Sequence, residues 1–327
     1  MADRPGEFAL IERYLAPLAK SCPGALSLTD DAAVLQISAG QDLVVTKDAV
    51  VAGVHFLEGE SPDVVAARAL RVNLSDLAAM GARPTVYLMA LALPPSIDAA
   101  WLEAFAAQLA EDQGTYGIAL AGGDTVATPG PLTISITALG EVQAGGALTR
   151  SGAQAGDRIF VSGTIGDAGL GLAALKSQLG KASDQDVTAA VRRHRFPEPR
   201  LSLGQRLVGL ANAAIDVSDG LVADLRHICD ASGRGAEILA AAVPMSEAVE
   251  AHIAAEPSWR AEALTAGDDY ELLFTAQPGA ADEVISASRA AGVPVTDIGI
   301  VIEDGGVTVL AGDGKPMKLD AGGYAHF

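Results

Sequence analysis

The sequence predicts an α/β protein (α+β in its details) of two domains, and three observations predict it. Short apolar strand patterns alternate with amphipathic helical patterns from one end of the chain to the other. A glycine-rich stretch, from Gly145-Gly146 to Gly156-Asp157, interrupts them near the middle. The chain has 327 residues at 50% hydrophobic content, enough for a core on each side of that break. The domains are therefore expected at residues 1–147 and 148–327.

Phe8, Ile11, Leu15 and Leu18 recur at helical spacing, so residues 7–20 read as an amphipathic helix. After Pro23-Gly24, Ala33 to Ile37 reads as a strand paired with a second from Asp42 to Asp48. Ser61-Pro62-Asp63 carries an N-cap, a first-turn proline and an acid, and starts a helix ending at Gly81. On it Ala69, Asn73, Asp76 and Met80 share one stripe among apolar neighbours, which reads as the edge of a cleft. A strand from Tyr87 to Leu93, a helix through Trp101, Phe105 and Leu109, a strand from Ile118 to Ala121, a glycine turn at Gly122-Gly123-Asp124-Thr125 and a strand from Leu132 to Leu139 complete the first half.

The second half opens with a strand from Arg158 to Ser162. Gly169-Leu170-Gly171-Leu172-Ala173-Ala174 then matches a dinucleotide fingerprint in letters only. No strand ending in an acid follows about 20 residues later, so the glycines read as sites of close helix packing. Helices follow on both sides of Pro197 and Pro199. A strand from Ala236 to Val243, a helix from Ser246 to Ala255, an acidic turn at Asp268-Asp269 entering a strand, a helix over 280–291, a strand from Val293 to Val301 and a hairpin turn at Gly305-Gly306 close the pattern.

Ala214-Ile215-Asp216-Val217-Ser218-Asp219-Gly220-Leu221 organises the rest. On a strand, Ile215 and Val217 point to one side and Asp216 and Ser218 to the other. Gly220 permits a sharp turn before a helix that Asp219 would cap. A capped strand-to-helix junction would look the same. Acids recur, however, at Asp30-Asp31, Asp48, Asp76, Asp124 and Asp268-Asp269, and carboxylates gathered in one place need a compensating cation.

Net charge is −19, which argues against nucleic acid or an anionic membrane as the main partner. Cys22 and Cys229 have no metal-ligand spacing and read as reduced structural thiols. With neither a signal-peptide pattern nor an apolar run long enough to span a bilayer, the chain reads as soluble and cytoplasmic. There is no phosphate-loop motif, nucleophile elbow or H-E-x-x-H. Glycoside hydrolysis fits poorly with 4% aromatic residues and so many acids. Hard oxygen ligands from several strands suit Mg2+ and phosphoryl transfer.

Taken in order, Gly6-Glu7-Phe8 with Leu10-Ile11, Asp30-Asp31, Asp48 with Val51-Ala52-Gly53 and His55-Phe56, Asn73 to Ala82, Gly122-Gly123-Asp124-Thr125, Leu148 to Gly152, Ile215 to Leu221, Asp268 to Leu272, and Gly323-Tyr324 with His326-Phe327 resemble the thiamine-monophosphate kinase family. The resemblance runs end to end. It implies the aminoimidazole ribonucleotide synthetase-like fold: an amino-terminal sheet that forms a homodimer interface, and a carboxy-terminal α/β domain over the nucleotide. It implies transfer of the γ-phosphoryl group of ATP to thiamine monophosphate, in line and without a general base or covalent nucleophile. Several Mg2+ ions would be held by Asp31, Thr46, Asp48, Asp76, Asp124, Asp216 and Asp219. Gly123, Asp124, Arg150, Ser218 and Tyr116 would meet ATP; His55, Asp268 and Tyr324 would meet the substrate. On the residues alone, His55 reads as a structural histidine.

Two positions depart from the family pattern: Leu28-Thr29 replaces the glycines before the paired acids, and Thr46-Lys47-Asp48 replaces S-T-D. An ammonium group cannot ligate Mg2+, so either that ligand is the Lys47 carbonyl or one ion is held differently. The resemblance leaves two alternatives, another ATP-dependent enzyme of the same superfamily or a catalytically silent nucleotide- and Mg2+-binding regulator. Cys22 lies outside the glycine-rich segment a selenophosphate synthetase would need, and His326-Phe327 does not resemble the ending of a hydrogenase-maturation relative.

Overall fold

Pro17 lacks an amide hydrogen, so the first helix cannot keep a regular ladder. In the structure, a computed structural model that describes residues 5–30, 32–179 and 187–319, α1 (Glu7–Leu10) passes into a wide π turn over Ile11–Leu15 and a tight 3-10 turn over Ala16–Ala19. Leu10, Tyr14, Leu15 and Leu18 are buried, whereas Phe8, expected in the apolar stripe, is 84% exposed. The chain divides into two units, the described residues of Met1–Leu77 with Ala82–Gly145, and Ala78–Gly81 with the described residues of Gly146–Phe327.

The first unit continues with β1 (Gln41–Val51), α2 (Pro62–Ala79), β2 (Arg83–Leu93), α3 (Ala99–Tyr116), β3 (Ala119–Ala127) and β4 (Thr133–Gln143). They form a sheet in the order β1-β4-β2-β3, parallel only between β2 and β3. The expected strand at Ala33–Ile37 is absent. β1 takes β4 as its partner along its whole length, and the 33–37 segment is left with Val34 66% exposed. The expected turn at Gly122–Thr125 is strand instead, because β3 pairs with β2 through Ala127. Helix α2 packs on the sheet through Leu70, Leu74 and Leu77, all fully buried. Each such leucine contributes about 1.5–3 kcal/mol.

The second unit comprises β5 (Arg158–Ser162), α4 (Asp167–Leu175), α5 (Thr188–Arg195), α6 (Leu201–Leu207), β6 (Ala213–Asp216), α7 (Leu221–Ser232), β7 (Gly235–Leu239), α8 (Glu247–Ala255), α9 (Trp259–Thr265), β8 (Leu272–Ala276), α10 (Ala281–Ala291), β9 (Val295–Ile302) and β10 (Val307–Leu310). Its sheet runs β10-β7-β9-β5-β8-β6, parallel only between β10 and β7. β5 therefore lies between antiparallel neighbours, which a dinucleotide-binding unit does not have. A side chain at Gly171 would come 2.3 Å from the Ala190 carbonyl, so this glycine serves the close packing of α4 on α5. Gly305-Gly306 does not turn a hairpin, because β10 leaves β9 and joins β7. Leu221, Val222, Leu225, Ile228 and Cys229 form the apolar stripe that seats α7 in the core with Ile159, Val161, Ile215 and Val217.

Candidate functional site

In the first unit the sheet and α2 bring four of the sequence-derived residues together. Thr46 and Asp48 stand two apart on β1 and so share a face, with Lys47 on the other. The Thr46 hydroxyl donates to Asp76 on α2 in a short contact. One turn earlier on the same stripe, Asn73 anchors its amide on the Ala69 carbonyl at 3.0 Å and accepts the Asp48 N–H at 3.1 Å. The His55 Nδ1 accepts the Val51 N–H at 3.1 Å, which fixes that nitrogen as unprotonated and leaves Nε2 for the N–H. Burial holds the Asp48 carboxyl above its usual range, against the lowering influence of a hydrogen bond with Asp76 and the nearby His55. Lys47 turns away, its ammonium donating to Ser135 Oγ at 2.8 Å and Thr137 Oγ1 at 3.4 Å.

Asp124 is exposed, and its carboxylate accepts the Thr125 N–H. The strand register sets it in the row of Ala90, Ser135 and Ala49, on the alternate pleat from Gly123, Met89, Ile136 and Asp48. Asp124 thus does not share the face of Thr46 and Asp48. Tyr116 ends α3 with its ring 5.6 Å from the Arg71 guanidinium. Asp31 and Tyr324 lie outside the described residues.

In the second unit, antiparallel pairing of β6 with β8 puts Asp216 opposite Leu272 and so sets the loop after β6 against the turn before β8. The two are joined by backbone hydrogen bonds: Val217 N–H to Glu271 O, Tyr270 N–H to Val217 O, and Asp268 N–H to Ser218 O, at 2.8 to 2.9 Å. Asp216, Ser218, Asp219 and Asp268 are thereby gathered. Gly220 has φ +120°, and a side chain there would meet the Thr265 carbonyl at 2.4 Å, so only glycine permits this turn. Asp224, which the sequence reading missed, lies beneath the loop. Oxygens or nitrogens of Asp219, Asp224 and His227 come within 4.8 Å of one another. Burial first, then the charge of Asp216, pushes Asp224 up to about 7. Arg150 is exposed, and its carbonyl accepts from Ser232.

Asp268 and Tyr270 both hold positive φ, 73° and 51°, which side chains other than glycine rarely adopt. Surrounding groups fix them there. The Tyr270 hydroxyl donates to Asp268 at 3.2 Å, and the fully buried Asp269 accepts the Gly166 and Ala168 N–H groups at the start of α4 at 2.7 and 3.0 Å. Burial raises Asp269 from 3.8 to about 7. A carboxyl whose folded value lies above its unfolded one weakens the fold as pH rises: the penalty is absent below the lower value and complete above the higher. Asp269→Asn carries no such penalty. Urea titrations should therefore show the variant gaining on the parent by up to about 4 kcal/mol between about pH 4 and pH 7.5, and a pH-independent difference would refute this.

Residues 29–142 match the family described as AIR synthase related protein, N-terminal domain, and residues 154–312 match its C-terminal domain. The thiamine-monophosphate kinase of Caulobacter vibrioides is 48% identical, over 99% of this chain and 92% of that protein. The crystal structure of thiamine-monophosphate kinase from Stenotrophomonas maltophilia K279a is 41% identical, with a TM-score of 0.84 over 95% of this chain and 98% of that one. A structure of AaThiL complexed with AMPPCP and TMP is 32% identical, with a TM-score of 0.76 over 98% and 97%.

Proposed function

We infer the reaction from one premise: the chain belongs to the AIR synthase-related family and, within it, to the thiamine-monophosphate kinases. It transfers the γ-phosphoryl group of ATP to thiamine monophosphate, giving thiamine diphosphate and ADP. The observation that carries this reading is the grouping of Thr46, Asp48 and Asp76 beside His55, with the Thr46 hydroxyl donating to Asp76 and burial holding the Asp48 carboxyl above its usual range. Crowded carboxylates and a hydroxyl are the donors Mg2+ prefers, so the donor set fits that ion. In the first unit Thr46, Asp48 and Asp76 would hold Mg2+, and in the second unit Asp216 and Asp219 would do so; Asp31 and Asp124 are further proposed ligands, Asp124 from the alternate pleat of the first sheet. When bound, Mg2+ neutralises charge on the phosphoryl oxygens.

The acceptor is a phosphate oxygen already ionised near neutral pH, so the reading includes no general base. Transfer is direct and in line, with the chain supplying position and charge compensation. Gly123, Asp124, Arg150, Ser218 and Tyr116 serve the nucleotide; His55, Asp268 and Tyr324 serve thiamine monophosphate. The working unit is a homodimer, and the supporting observation is the open face of the first sheet, where Val45 is 56% exposed, Val126 49%, and Leu43 and Leu88 join them. A cytoplasmic location suits the need for ATP, and among the described residues no helix is long and apolar enough to cross a membrane.

ADP release that requires thiamine monophosphate tests the assignment. Its absence would leave a silent regulator as the better reading, and a phosphoenzyme trapped from labelled ATP would contradict direct transfer. Because Lys47 points to the other face of β1, Lys47→Ala should leave the half-saturating Mg2+ concentration within about twofold of the parent, well inside the 10- to 100-fold change seen when groups supporting a metal are lost. A larger change would return Lys47 to the site.

A further inference from the structure

A single carboxylate oxygen closes the start of α7. Asp224 Oδ2 accepts three successive backbone N–H groups, from Ser218 at 3.0 Å, Asp219 at 3.0 Å and Gly220 at 3.1 Å. Gly220, the N-cap, makes no side-chain cap bond, and Asp224 reaches back from the first turn of α7 to take the three N–H groups of the loop that leads into the helix. The same side chain is 1% exposed. On the other side of the loop, the Val217 and Ser218 carbonyls are taken by Tyr270 and Asp268. Held from both sides, the loop has one conformation in which its backbone donors face inward.

That arrangement has a chemical consequence. A helix start with free N–H groups ordinarily attracts phosphate directly. Here the three loop N–H groups just before the helix already bond an internal carboxyl oxygen, so a nucleotide phosphate does not find them free. We propose that Asp224 is a positioning residue: it moulds the Ser218-Asp219-Gly220 loop so that Asp216 and Asp219 present oxygens to a phosphate-bound cation, and it keeps the three loop N–H groups occupied so that phosphate does not take them. The proposal rests on the kinase reading for its link to turnover. The loop anchoring itself does not depend on that reading.

Two variants separate anchoring from direct ligation. Asp224→Asn keeps an acceptor oxygen for the three N–H groups and removes the charge; Asp224→Ala removes both. Amide exchange at Ser218, Asp219 and Gly220 reads the anchor without reference to activity. Protection should persist in the parent and Asp224→Asn and fall at least about 30-fold in Asp224→Ala, since these amides then lose their acceptor. In turnover, Asp224→Ala should lose about 10- to 100-fold in kcat and raise half-saturating Mg2+, whereas Asp224→Asn should stay within about fivefold on both, as a supporting rather than a coordinating group would. If Asp224→Asn shifts Mg2+ dependence as far as Asp224→Ala, the carboxylate is itself a ligand and the proposal fails. It fails equally if Asp224→Ala keeps protected amides and parental kinetics. Should Asp224→Ala not fold, Asp224→Asn decides alone by the same two measurements. A parent protein without thiamine monophosphate-dependent ADP release would sink the kinase reading, leaving the exchange result to judge the anchor.

Discussion

Asp216→Asn is expected to lower kcat by about 10²- to 10³-fold, the range seen when one electrostatic stabiliser of a charged transition state is removed, while making the metal-free protein more stable. The two signs together are the point. Asp216 is 4% exposed at the end of β6 and lies close enough to Asp224 for its charge to raise that group. Without a cation, these neighbouring carboxylates repel one another in a poorly solvated place. An amide in place of one of them removes repulsion and keeps the shape. Thermal denaturation in chelator should therefore show Asp216→Asn melting above the parent, by an amount corresponding to about 0.5–2 kcal/mol, the usual return for relieving a functional strain. Adding Mg2+ should reverse the order, since the parent gains stability in proportion to its metal binding. A variant that is less stable in chelator would mean that Asp216 holds the loop structurally. A variant with parental turnover would remove it from the site.

How much of this was legible in the sequence depended on the range of the interaction. The alternation of Ile215 and Val217 with Asp216, and the stripe of Asn73 and Asp76 on α2, are local periodicities, and the structure places Ile215 and Val217 in the core and Asn73 and Asp76 against β1. The packing role of Gly171 was legible for the same reason. Strand pairing was not. Ala33–Ile37 has strand composition but no strand beside it, and β10 follows a glycine pair yet joins β7, choices made by neighbours far away in the chain. Asp224 was missed because an acid in the first turn of a helix is ordinary, and only coordinates show that its oxygen serves the preceding loop. Asp124 shows the converse limit. A resemblance groups it with Asp48, whereas the register of β3 places it on the alternate pleat.

Glu271→Gln should be the most destabilising single change in the second unit, at about 3–5 kcal/mol, the cost of stripping one partner from a buried ion pair. Glu271 is fully buried. Its carboxylate accepts from Arg200 Nε at 2.7 Å and Nη2 at 2.5 Å, from Arg193 Nη2 at 2.7 Å and from Ser162 Oγ at 2.5 Å. Ser162 Oγ in turn accepts the Leu272 N–H at 2.8 Å. An amide has one acceptor oxygen, and its nitrogen would face guanidinium donors, leaving the two arginines, among the described residues, with the partly exposed Glu198 as their remaining carboxylate partner. Exposed ion pairs contribute about 0–1 kcal/mol and fade with salt; this one should lose several times that and show little change on raising ionic strength. The damage should also reach the site. Arg193 Nη2 donates to the Asp269 carbonyl at 3.0 Å, within the turn that holds Asp268 and Tyr270 at positive φ. Such strained backbone persists only while its surroundings over-determine it. Loosening Arg193 should therefore raise KM for thiamine monophosphate, through Asp268, more than it lowers kcat. Ser162→Ala, which leaves both guanidinium contacts in place, should cost less than Glu271→Gln, about 1–3 kcal/mol for a buried N–H left without its acceptor. If the two variants cost the same, or if Glu271→Gln unfolds at parental urea with an unchanged KM, the brace does not hold the turn.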